Sequence, residues 1–115
     1  MHEYSLVMSL IERVKEEALG HRARAVHRVR IKVGELAGVE PELLAYAFEI
    51  AREGSVCDKA ELDVEFVPAQ WACSACARPI DRGKALQCEE CGQPGKLRAG
   101  GEITFESMDL EVDDV

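Results

Sequence analysis

No apolar run in this chain approaches the roughly 18 residues that a membrane-crossing helix needs. The first residues include Glu3, Glu12, Glu16 and Glu17 and no uninterrupted apolar stretch, so no secretory signal is visible. A phosphate loop of the form GxxxxGK followed by Ser or Thr is also missing, so nucleotide hydrolysis is not expected of this chain. Internal repeats and low-complexity tracts are absent, and nothing in the chain points to covalent catalysis. Positive charge is scarce: 14 Lys and Arg stand against 22 Asp and Glu, a net charge of −8. Such a chain repels phosphate backbones and suits protein or cation partners, so neither nucleic acid nor a membrane is expected as a partner.

What remains is an ordinary globular composition, 47% hydrophobic and 31% charged, in 115 residues. That suits one compact domain, or one domain with a small appendage, folding in the cytosol and acting as something other than an enzyme. Residues 6–19 read as an amphipathic helix, with Leu6, Leu10, Ile11, Val14 and Ala18 on one face, Ser5 as a candidate N-cap and Gly20 as a stop. The stretch VHRVRIKV then alternates, with Val29, Ile31 and Val33 facing in and Arg28, Arg30 and Lys32 facing out. A second helix begins at Pro41, after Glu40, with Leu43, Leu44, Ala47, Phe48, Ile50 and Ala51 as its apolar side.

The later stretch AELDVEFV has the complementary pattern, Leu62, Val64 and Phe66 inward and Glu61, Asp63 and Glu65 outward. Its acids are matched to the basic stripe of the first strand, so cross-strand ion pairing explains that stripe better than nucleic-acid binding does. Strand, helix, strand implies a right-handed crossover and two parallel strands. In EITFESMDLEV, Ile103 and Phe105 fall out of phase with Met108, Leu110 and Val112, which a β-bulge near Ser107 absorbs. The expected architecture is α+β: two helices on a small mixed sheet, carrying an inserted zinc-ribbon-like module. Residues 1–68 with 100–115 form the α/β domain, and residues 69–99 the module.

Cysteine supplies the strongest motif. Cys73 with Cys76 and Cys88 with Cys91 form C-x2-C-x11-C-x2-C, while Cys57 stands alone and reads as a small buried residue. In a reducing compartment, two such knuckles favour a metal over disulfides. Four thiolates make the closed tetrahedral shell of structural zinc; iron takes the same geometry, but zinc is the commoner occupant. A redox dithiol needs an exposed low-pKa pair beside a thioredoxin-like unit, which matched pairs on a short insertion do not resemble. Residues 69–99 hold five basic and three acidic side chains. Four thiolates and one Zn²⁺ offset that excess, and Trp71 is the module's only aromatic for stacking, so nucleic-acid binding is again disfavoured. A segment of about 30 residues buries too little core to fold alone, so the ion supplies folding energy.

The first residues, Met1-His2-Glu3, raise a different question, because chain ends usually fray and carry nothing of note. The Met1 amine, the His2 amide nitrogen and the His2 imidazole can close fused chelate rings on one ion. A further nitrogen such as the Glu3 amide completes a square plane, the preference of Ni(II) or Cu(II) rather than zinc. A helix N-terminus repels cations, but two deprotonated amides neutralise a dication locally. Such a site is exposed and pH-dependent, suited to handing an ion on.

MHEYSL at the start, VGELAGVEPELLAYAFE in the middle and the two C-x-x-C pairs together resemble the hydrogenase nickel-incorporation protein family HypA/HybF. The likeness covers essentially the whole chain in the same order of elements. It implies a nickel metallochaperone that helps insert Ni²⁺, as cargo, into the NiFe-hydrogenase large subunit together with a HypB-type GTPase. It carries nickel ligation onto His2, with Met1 and Glu3 contributing main-chain groups, and zinc ligation onto Cys73, Cys76, Cys88 and Cys91. Glu40 matches an acidic position near the nickel in some relatives, and equally reads as a helix-start residue. The second knuckle reads CEEC where many relatives place proline after the first cysteine, a departure that bears on stiffness and not on ligands. The rival reading is a zinc-ribbon adaptor or nucleic-acid-binding module whose N-terminal histidine is incidental.

Overall fold

The computed structural model describes residues 2–81 and 86–113, without the side chain of His2. Met1 therefore lies outside the described residues. The elements run α1 (His2–Gly20), β1 (Ala23–Gly34), α2 (Pro41–Ala51), β2 (Glu61–Val67), β3 (Gln70–Cys73), β4 (Pro79–Ile80), β5 (Gly95–Ala99) and β6 (Ile103–Val112). They form two three-stranded sheets, ordered β2-β1-β6 and β4-β3-β5. The chain divides into two compact units: Met1–Lys32, Val39–Glu65 and Thr104–Val115 make the first, and Val33–Gly38 with Phe66–Ile103 make the second. Two helices with small mixed sheets are what the α+β reading expects.

In the first unit, α1 buries Val7, Ile11, Val14 and Ala18, a stripe at the helical period, and α2 buries Leu44, Ala47 and Phe48. Val26, Val29 and Ile31 of β1, with Cys57 and Ala60, complete the core. Burial raises the pKa of the Cys57 thiol, the behaviour of a packing residue rather than of a reactive one. Helix α1 begins four residues earlier than its apolar stripe indicates, so Ser5 lies within the helix and does not cap it. An acid at the helix start explains the extension: Glu3 sits in the first turn, where the helix dipole favours negative charge, and its carboxylate accepts the Glu40 amide at 3.3 Å.

Along β1 the alternation holds from Val29 to Val33, with Arg28, Arg30 and Lys32 on the outer side. Those three cations meet the β2 acids foreseen for them, and two of them make closer pairs with β6 acids that the charge pattern did not assign. Arg28 donates to Asp63 at 2.7 Å and to Glu61 at 2.8 Å, Arg30 to Asp109 at 2.8 Å, and Lys32 lies 3.0 Å from Glu106 and 3.8 Å from Glu65. Partners on β2 advance with β1, as in parallel strands, while partners on β6 run the opposite way. Two residues along β1, from Arg30 to Lys32, span three on β6, from Asp109 to Glu106. Burial skips the adjacent Glu106 and Ser107 as well, so the extra residue falls where the broken phase of β6 placed it. Each exposed pair contributes about 1 kcal/mol or less, so the network specifies register more than it stabilises.

Three assignments change. Val112, expected inward at the end of β6, is 48% exposed. Phe66 is 56% exposed rather than inward, and Leu62 and Val64 are only half-buried, because β2 is an outer strand with a neighbour on one side alone. On α2, Leu43 and Ile50 point outward, 53% and 49% exposed, so the apolar side is narrower than its sequence suggests.

In the second unit, β3 pairs antiparallel with β4 and with β5, setting Trp71 opposite Ile80 and Leu97, and Cys73 opposite Gly95. A joint of main chain flanks this sheet. Gly34 donates to Glu102 O at 2.9 Å, Leu36 to Gly100 O at 2.7 Å, and Glu35 both donates to Val67 O at 2.9 Å and accepts the Ala69 amide on its carboxylate at 2.8 Å. A Cβ on Gly34 would fall 2.3 Å from the Gly100 carbonyl carbon, so the two backbones approach as closely as only glycine permits.

Candidate metal centres

Each cysteine knuckle is the same piece of backbone used twice. The Cys73 amide donates to Arg78 O at 2.9 Å and the Ala77 amide returns to Cys73 O at 3.1 Å. In the second knuckle the Cys88 amide donates to Gln93 O at 2.9 Å and the Gly92 amide returns to Cys88 O at 2.9 Å. The residue four places after the first cysteine is left-handed in both, φ 62° at Ala77 and φ 70° at Gly92. Glycine takes that conformation freely, whereas a Cβ adds about 1–2 kcal/mol. Ala77→Gly is therefore expected to raise the module's stability by about 0.5–1 kcal/mol, and Gly92→Ala to lower it by about 1 kcal/mol. Thermal unfolding of the zinc-loaded chain followed by Trp71 fluorescence measures both.

The turns aim four sulfurs at one point. All four thiols lie within 4.8 Å of one another, with Cys73 and Cys88 buried and Cys76 and Cys91 exposed. Sulfur separations are 3.2 Å for Cys73–Cys91, 3.7 Å for Cys76–Cys88 and 4.0 Å for Cys76–Cys91. A tetrahedron of thiolates about 2.3 Å from a central ion has edges of about 3.8 Å, so the set fits one zinc-sized ion. Electrostatics prepares part of the set. The amides of Cys76 and Ala75 point at Cys73 Sγ from 3.4 and 3.3 Å and hold its pKa down to about 6. The amides of Cys91 and Glu90 lower Cys88 in the same way. Cys76 and Cys91 go the other way: the Arg78 and Gln93 amides favour their thiolates, but burial and the neighbouring sulfurs outweigh them, pushing Cys91 up to about 12. Four negative sulfurs this close repel one another, and a dication removes that repulsion.

At the other candidate site, His2 opens α1, its side chain lying outside the described residues. Glu3 is half-buried and Glu40 exposed, and the hydrogen bond from the Glu40 amide to the Glu3 carboxylate brings these two acids together. Glu40 is the N-cap residue of α2 and makes no side-chain cap bond, so its carboxylate is not committed to the helix start. Sequence reasoning missed the link between Glu3 and Glu40; nothing in a separation of 37 residues signals it.

An α/β unit and a zinc-ribbon-like module, whose four cysteines could hold one metal ion, define a small α+β protein. Residues 1–110 match the family described as hydrogenase/urease nickel incorporation, metallochaperone, HypA, and the chain belongs to that family. It is 38% identical over 120 aligned positions to the hydrogenase maturation factor HypA of Wolinella succinogenes, covering 99% of this chain and 98% of that protein. The fold agrees with a solution structure of a HypA protein at TM-score 0.80 and 31% identity, covering 98% of each chain. It agrees also with the solution structure of the nickel metallochaperone HypA from Helicobacter pylori, at TM-score 0.72 and 30% identity, covering 96% of this chain and 98% of that one. The family is one of metallochaperones and not of catalysts. Among the described residues no helix is long and apolar enough to cross a membrane.

Proposed function

We propose that the protein is a nickel metallochaperone with two metals in different roles. Ni²⁺ is cargo, taken at the N-terminus by His2 with the amine of Met1 and the amide nitrogens of His2 and Glu3. Zn²⁺ is structural, held by Cys73, Cys76, Cys88 and Cys91. The nickel is destined for the NiFe-hydrogenase large subunit, with a HypB-type GTPase as the partner that supplies nucleotide hydrolysis.

The start of α1 at His2 is the observation that carries the nickel assignment. The first four amides of a helix have no intrahelical acceptor, so ligation by the amides of His2 and Glu3 would break no bond of the helical ladder. They are the two nitrogens a square-planar site needs beside the amine and the imidazole. Glu3 supports this reading in a second way, because its carboxylate is engaged by the Glu40 amide and leaves its main-chain nitrogen as the ligand. Glu40 is the weaker candidate, a carboxylate near enough to Glu3 to serve as an outer ligand. Titrating the zinc-loaded chain with nickel tests the assignment: one further equivalent, with the absorption spectrum of square-planar Ni(II), is expected. A zinc-ribbon adaptor takes up no such equivalent.

Helix α1 also offers the docking region for the GTPase, since it starts at the cargo residue His2 and exposes Glu12 and Glu16 further along its length. Glu12 holds only a 3.4 Å exposed pair with Lys15. Charge reversal at Glu12 or Glu16 is expected to weaken association about three- to tenfold at low salt, with the difference fading as ionic strength rises. Affinity unchanged in both variants across salt removes that helix face from the interface.

A further inference from the structure

Helix α2 carries an apolar stripe that the core does not use. Leu43, Tyr46 and Ile50 are 53%, 63% and 49% exposed. At 100° per residue these three fall within about 60° of one another on the helix surface. Glu42 and Glu49 fall within about 20° of each other, directly along one edge of that stripe, and Glu53 follows in the turn after the helix. On its other edge, Ala47 turns into the core.

The charges of this edge differ in kind from those of the sheet. Arg28, Arg30 and Lys32 each have acidic partners on β2 or β6. Among the described residues, no ion pair joins Glu42, Glu49 or Glu53 to a cation, and the neighbouring Arg52 donates to the Ala60 carbonyl instead. A sheet that neutralises itself has no need of a charged partner. An apolar stripe beside a row of unpaired carboxylates is complementary to an apolar surface edged by cations.

We infer that the Leu43–Tyr46–Ile50 stripe with its Glu42–Glu49–Glu53 edge docks an amphipathic helix of a partner protein, one with apolar side chains at helical spacing and Lys or Arg along one side. Tyrosine is the natural anchor, offering large apolar area for little lost rotamer freedom. The row of acids selects the sign of the partner's edge and accelerates encounter. This surface stands apart from the nickel reading and holds whether or not the N-terminus takes that ion.

Two synthetic helical peptides with identical leucine stripes test it, one with lysines along an edge and one with glutamates there. Each is titrated into the zinc-loaded, isotope-labelled full chain and followed by amide NMR. Saturable shifts centred on residues 42–53 are expected with the lysine peptide, and none with the glutamate peptide. Tyr46→Ser and the double variant Glu42→Lys with Glu49→Lys should each weaken the lysine peptide about tenfold. Both alter exposed positions, so circular dichroism should match wild type; Leu43→Gln replaces Tyr46→Ser if that variant misfolds. Shifts centred elsewhere, equal binding of the two peptides, or full affinity in the variants overturn the inference. So does concentration-dependent dimerisation that Tyr46→Ser abolishes, since the stripe would then be filled by a second copy.

Discussion

Zinc-loaded protein carrying His2→Ala is expected to lose its tight, square-planar nickel site while keeping its zinc and its far-ultraviolet circular dichroism. The imidazole closes the outer chelate ring, and without it the His2 amide nitrogen has no neighbour to hold the ion while its proton leaves. Adding one glycine ahead of Met1 should alter the site rather than abolish it: the Met1 nitrogen becomes an amide ligand between the new amine and the His2 amide, giving a four-nitrogen plane that no longer draws on the Glu3 amide. Neither change reaches the four cysteines. Glu3→Gln should do much less: the main-chain nitrogen survives, and the new amide oxygen can still accept the Glu40 N–H that now lies 3.3 Å from the carboxylate. A large loss in Glu3→Gln would instead make the carboxylate a direct ligand. Calorimetric titration of wild type, His2→Ala and the glycine-extended form decides the matter. Equal one-to-one affinity in all three leaves the terminus without a role in nickel binding.

Periodicity revealed most of the first unit because its elements have one buried side each. The stripe Ile11, Val14 and Ala18 and the alternation Val29, Ile31 and Val33 survive folding, since each side chain simply meets the core its pattern implies. The β2 partners of the basic stripe were legible too, because opposite charges at matching two-residue spacing pair across neighbouring strands, but Asp109 and Glu106 of β6, the closer partners of Arg30 and Lys32, were not. It failed where burial depends on position in the sheet. Phe66 lies on the inward phase of β2, yet β2 is an outer strand and covers it poorly. Leu43 and Ile50 were assigned to the core of α2 on hydrophobicity alone, and no local pattern separates a core leucine from a surface one.

The cysteine set was the most legible feature, because C-x2-C spacing is a local constraint that backbone geometry alone satisfies. Its inequality was not: Cys73 and Cys88 are lowered by amides that the turns happen to aim at them, while Cys91 is raised by its neighbours. Equally hidden was the meeting of Gly34 with Gly100, whose backbone leaves no room for a Cβ on Gly34, while Gly100 is itself confined by Pro68 and Ala69.

Replacing Cys73 or Cys88 by alanine is expected to abolish zinc retention and to unfold residues 69–99, leaving α1 and α2 packed. These two thiols are the buried pair of the cluster and the ones the main chain favours as thiolates. Removing either leaves three sulfurs, one coordination position open to water, and a dication less completely neutralised. The second unit has little to fall back on, because β4 is two residues long and, among the described residues, its buried apolar side chains are few: Val33, Ala72, Cys73 and Cys88. Structural zinc binding is worth about 10–16 kcal/mol in small modules, far more than such a core supplies. By contrast, Val7, Ile11, Val14, Leu44 and Phe48 give the first unit a core that contains no cysteine ligand.

Trp71, the single tryptophan, lies in β3 between β4 and β5 and reports the outcome directly. Its emission should shift to the red in both variants, and in wild type after strong chelation, while helical circular dichroism persists. The proposed nickel ligands at Met1, His2 and Glu3 include none of these sulfurs, so one equivalent of nickel should still bind. X-ray absorption of the wild type should show a sulfur-only shell around zinc. Oxygen or histidine ligands with no sulfur, or a Cys88→Ala chain that keeps its zinc and its Trp71 emission, would remove the four-cysteine site from the account.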